Sequence, residues 1–150
     1  MNDKEIENLK EGRKNAYTGW FYAIQRIDLL IISISGAGVY VTLESLKYTF
    51  EKDIQNVYLL KIAGVLFVLA IITNFFSQYF GKEANEYHIR MCSAKLKADE
   101  PPTDMQETEI KNLDRRSEMW DNLTNWSNYL SAILMAIALI AEIVFFFITF

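Results

Sequence analysis

Glu142 is the only charged residue in the run 126–150. If that run crosses a bilayer, the carboxylate lies eight residues, about 12 Å, from Phe150 and inside the hydrocarbon layer; the alternative places it at the membrane boundary, with 145–150 as an interfacial tail. A lone ionised acid there costs several kcal/mol unless it is protonated, paired or facing water. Such a group can tune ion passage along a wet axis, carry a proton, or hold a cation in place. The first cation to consider is Arg26, which with Asp28 stands a turn or two inside the aromatic cluster Trp20, Phe21 and Tyr22. These two charges either pair with Glu142 or with their own copies across subunits, or they reach back to the membrane surface.

Other polar residues recur at helical spacing. Asp28, Ser35, Gly38 and Thr42 share one stripe; Asn74, Ser77 and Gln78 form a patch; Asn128, Ser131, Met135, Ala138, Glu142, Phe145 and Thr149 follow heptad steps on one face. Each apolar run therefore carries one hydrogen-bonding face. Three helices can hide such faces inside a monomer, and the same pattern suits an oligomer with a wet axis. Ser33 and Ala37 make a small-xxx-small pair which, with Gly38, suits close helix packing.

Little else in the chain could do chemistry. His88 and Cys92 stand at i and i+4, but two ligands without a third do not make a metal site. No Gly-rich phosphate loop, catalytic carboxylate pair or Ser/His/Asp set occurs, so a non-enzymatic protein without metal or cofactor is expected. Cys92 is the sole cysteine, which leaves no intrachain disulfide. A net charge of −4 provides no basic field for sequence-specific nucleic-acid binding.

The elements that must position these residues follow from the distribution of charge. The 150 residues are 51% hydrophobic despite 23% charge, and the 20 residues 62–81 carry no charge at all. That length matches one crossing of a bilayer, which excludes an ordinary soluble domain. The sequence predicts an all-α integral membrane protein with three transmembrane helices and a cytoplasmic αα-hairpin stalk between spans 2 and 3. Its segments are an amphipathic lead-in helix at 1–19, with Ile6, Leu9, Ala16 and Trp20 on one stripe, a first span at 20–43, and an external loop at 44–57. A second span at 58–81, the hairpin at 82–125 and a third span at 126–150 complete the chain.

Residues 99–102, Asp-Glu-Pro-Pro, end the outgoing arm of the hairpin, and Thr103 with Gln106 forms a capping box that opens the return arm. Ile110, Leu113, Trp120, Leu123 and Leu130 are expected to face Tyr87, Met91 and Ala94. Twelve of the fifteen Lys and Arg fall in the N-terminal segment and hairpin, and only Lys47, Lys52 and Lys61 on the opposite side. The positive-inside rule puts the N-terminus and hairpin in the cytoplasm and the C-terminus outside. The sequons at Asn122 and Asn125 would then be cytoplasmic and without meaning for glycosylation.

An aromatic lead-in, two spans and a charged helix carrying Ala84, Tyr87 and His88 resemble the SLATT-type membrane effectors of bacterial antiphage loci. The similarity covers about residues 15–98, and small multi-span accessory proteins of CRISPR loci look similar at the same coarse level. The chain departs from the SLATT layout by a third span and by lacking a recognisable ligand domain. The resemblance implies an oligomer in a bacterial inner membrane that forms or gates a pore when a nucleotide or nucleic-acid sensor triggers it. The alternative is a membrane anchor or regulatory adaptor that binds a cytosolic protein through the stalk.

Overall fold

The computed structural model describes residues 3–54, 57–98 and 102–149, with side-chain surroundings for Tyr22 and from Ile24 onward. Three α-helices make up the described chain: α1 Asp3–Glu51, α2 Tyr58–Lys97 and α3 Asp104–Thr149. Each holds a stretch long and apolar enough to cross a membrane, starting in α1 at Ile24. The expected amphipathic stripe of Ile6, Leu9, Ala16 and Trp20 lies outside the described side chains.

The lead-in and first span are one unbroken helix, and it continues past residue 43 to Glu51. Residues 44–51 were expected to be loop, yet they contain neither proline nor glycine to stop a helix, so α1 runs on until its end is capped. That cap is Asp53, whose φ of 52° lies in the left-handed region. The Asp53 amide donates to the Phe50 carbonyl at 3.4 Å and the Ile54 amide to the Thr49 carbonyl at 3.0 Å, the paired closure of a Schellman end. Aspartate tolerates the left-handed region better than most residues, which is why it replaces the usual glycine.

Helix α2 passes from its apolar half into its charged half without a break and ends at Ala98, whose ψ of 146° is extended. The return helix opens on the expected capping box: the Thr103 amide donates to Gln106 Oε1 at 2.9 Å and the Gln106 amide to Thr103 Oγ1 at 3.4 Å.

Helices α2 and α3 pair antiparallel from one end of the apolar region into the charged ends. Contacts along this seam include Phe67 with Ala138, Phe80 with Trp120 (ring centroids 5.5 Å apart) and the Ser117 hydroxyl donating to the Ala84 carbonyl at 3.1 Å. The seam on α3 runs through Ser117, Ser131, Ala138 and Phe145, with Thr124 half-buried among them. The spacing is heptad, but Leu123 and Leu130, expected at the seam, are 40% and 49% exposed. Smaller residues, Thr124 and Ser131, take their place one position on, and a Cβ added at Gly81 would be in ordinary contact with Thr124 Cγ2 at 3.5 Å.

Among the described side chains, helix α1 buries Ile31, Ser35, Gly38, Thr42 and Thr49. The apolar core is small, with Ala63, Phe67 and Ala138 at its centre. Large apolar side chains cover the outside instead, among them Leu29 at 65% exposure, Phe75 at 69% and Ile140 at 62%. A bundle whose outside is more apolar than its inside is suited to lipid.

Candidate functional site

The interior polar groups gather in two tiers. In the first, the Asn74 side-chain amide donates to Asp28 Oδ1 at 3.0 Å and the Gln78 amide to Asn74 Oδ1 at 3.3 Å. One turn on along α2, the Ser77 hydroxyl contacts Asn128 Oδ1 and the Thr124 carbonyl, the latter at 3.3 Å. All three helices therefore meet here through hydrogen bonds. Asn74 and Ser77 are buried, and Asp28 and Asn128 are half-buried.

The second tier joins α1 to α3. Thr42 Oγ1 donates to Glu142 Oε1 at 3.2 Å, with Thr42 2% and Glu142 7% exposed. Gly64 of α2 completes this tier, since a Cβ placed there would sit 2.8 Å from Thr42 Cγ2. Fourteen residues separate Asp28 from Thr42, and the same number separates Asn128 from Glu142, about 21 Å along either helix. Glu142 thus lies one turn from the level of Lys61 on α2, near one end of the apolar layer and not at its midpoint. The stretch between Asp121 and Glu142 is 20 uncharged residues, equal to that between Lys61 and Lys82 on α2.

Between the tiers stand Ser131 and Ser35, both fully buried. Ser131 donates to the Asn128 carbonyl at 2.9 Å. Ser35 finds no hydrogen-bond partner among the described residues.

Arg26 is not near Glu142. It is exposed, its guanidinium lies 5.5 Å from the centroid of the Tyr22 ring, and Thr42, the partner of Glu142, is 16 residues further along α1, about 24 Å away. Of the small residues singled out in the first span, Gly38 alone packs inside the protomer, against Phe67; Ser33 and Ala37 are exposed. His88 and Cys92 also face outward, and among the described residues no three His, Cys, Asp or Glu converge as metal ligands.

No protein-family model, curated protein or solved structure matches this chain.

Sequence reading passed over Phe67, Gly64 and Thr124. A phenylalanine within an apolar run carries no signal of its own, and which glycine meets which side chain depends on how the helices pack. Only the 3-4 spacing of Ala63, Phe67, Ala70, Asn74 and Ser77 could have pointed to a common buried face.

Proposed function

We propose that the chain is a non-enzymatic membrane protein of the bacterial inner membrane that assembles into a homo-oligomer and forms or gates a pore, acting as a membrane-perturbing antiphage effector. The observation that carries the reading is that α1 is held to α2 and α3 by hydrogen bonds on carboxylates at both tiers, Asp28 with Asn74 and Thr42 with Glu142. Intramembrane carboxylates are costly and usually mark function. Parting α1 from the pair would present Asn74, Ser77, Ser131 and Glu142 to an axis shared with other copies. Exposed aromatics support the bilayer: Tyr58 and Tyr79 stand 21 residues apart on α2, about 32 Å, the depth between two headgroup layers.

Purified protein reconstituted in liposomes should run as an oligomer and pass ions or a small dye once triggered. A strictly monomeric protein without flux under any trigger removes the reading.

The charged ends of α2 and α3 would form the cytoplasmic stalk, and single cysteines test this directly. In a Cys92→Ser background, Asp104→Cys should stay protected from an impermeant thiol reagent on intact cells while Thr149→Cys is labelled. Labelling at position 104 from outside overturns the topology.

A second reading, a membrane adaptor for a cytosolic protein, is favoured by the tip of the hairpin. There Leu96 and Met105 are 87% and 85% exposed, well away from the apolar spans. A partner that co-purifies with the wild type and is lost from Leu96→Glu and Met105→Glu, with no flux from either protein, would select it.

A further inference from the structure

Phe67 is fully buried between the two tiers, and its position depends on Gly38: a Cβ there would lie 2.4 to 2.7 Å from three atoms of the ring. Ala63 and Ala138, both fully buried, pack in the same cluster. On one side, four residues along α1 from Gly38 and four along α3 from Ala138, about 6 Å, lies the Thr42–Glu142 pair. On the other, three residues from Gly38, about 4.5 Å, lies Ser35, buried and without a partner among the described residues. Beyond Ser35 come Ser131 and then the Asp28, Asn74 and Gln78 cluster. Between the two carboxylates the interior thus carries the hydroxyls of Ser35 and Ser131, with the Phe67 ring across it on one side of Ser35 and the buried Ile31 and Ala70 on the other.

We propose that Phe67 is a hydrophobic plug in a proton path inside each protomer, leading from Glu142 past Ser35 to Asp28. This rests only on the membrane-spanning part of the functional reading and does not require a pore between subunits. Displacing the ring makes room for a few waters, at about 30 Å³ each, beside the Ser35 hydroxyl, which has no partner among the described residues. A proton taken up by the Glu142 carboxylate can then pass along water and hydroxyls to the Asp28 carboxylate and leave at the other face. Only O–H bonds break and form, and no net chemistry results. A dry aromatic constriction blocks such a chain until it is wetted. A few waters in place of one ring can relay protons but leave no passage for dyes.

The test uses full-length protein in liposomes loaded with a pH-sensitive dye, under an imposed pH gradient and a potassium diffusion potential. Phe67→Ala should raise proton flux on the order of tenfold or more over wild type, without release of a trapped larger dye. Phe67→Leu, a milder change that guards against misfolding, should give a smaller increase. The leak of Phe67→Ala should fall to the wild-type level in Phe67→Ala/Glu142→Gln. Helical, monodisperse Phe67 variants that hold the gradient as wild type does overturn the proposal, as does a leak that persists in the double variant. Proton leak without dye release at any subunit number would sustain the plug while the oligomeric pore failed. Triggered dye release with no effect of Phe67 would do the reverse.

Discussion

Gly38→Leu should destabilise the protein strongly while Gly36→Leu, two residues away, should leave the folded protomer almost unchanged. Gly38 lies against the Phe67 ring so closely that even one added carbon must move it, and Ala63 and Ala138 on the far side leave the ring little room. Overpacking of this kind costs about 1–3 kcal/mol, and the leucine also levers α1 away from the two tiers that hold it. For a chain of this size the loss should lower Tm in detergent by about 5–10 °C. Among the described residues nothing lies within 4 Å of a Cβ built on Gly36, so the same leucine there faces open space. Thermal unfolding followed by circular dichroism checks both. Equal Tm values for the two variants would mean that α1 does not dock through Gly38. Loss of oligomer in Gly36→Leu at unchanged protomer stability would locate a subunit contact on the outward face that Gly36 shares with Ser33 and Ala37.

That outward face shows where sequence reading stops. Spacing alone identifies Ser33, Ala37 and Gly38 as small residues suited to helix contact, but they do not point the same way, and only the position of α2 decides which one is used. The capping box at Thr103 was legible because both partners lie within one turn of each other. The interior face of α3 was legible too, since its heptad runs through Glu142 without interruption. The seam was misplaced at Leu123 and Leu130 because leucine is the usual core residue, whereas Thr124 and Ser131, one residue further along α3, are the ones turned inward. Pairs such as Asp28 with Asn74 lie 46 residues apart in sequence, and no local rule gives the axial shift between two helices that brings them together. The end of α1 was missed for a related reason: its stop signal is an aspartate in a glycine's place.

Glu142 is expected to separate stability from function. Glu142→Gln keeps the shape of the side chain and an oxygen able to accept from Thr42, so the protein should fold and assemble within about 0.5 kcal/mol of wild type. What it loses is the ionisable charge. In the proposed open oligomer, where parting of α1 would bring this residue to a shared axis, a ring of carboxylates would become a ring of amides, and cation preference should fall. Glu142→Leu removes the acceptor as well. The Thr42 hydroxyl then loses a buried partner, at about 1–3 kcal/mol if nothing replaces it, although it can turn to the carbonyl one turn back on α1 and recover part of that cost. Glu142→Leu should therefore loosen α1, seen as a lower Tm than that of Glu142→Gln, and should raise triggered flux while removing its cation preference. The two variants together distinguish three roles. A change in ion preference with unchanged Tm in the glutamine variant assigns the charge to conduction. A loss of stability in the leucine variant with no change of flux in either makes the residue a tether for α1 and nothing more. Wild-type Tm, assembly and flux in both would remove Glu142 from the functional site.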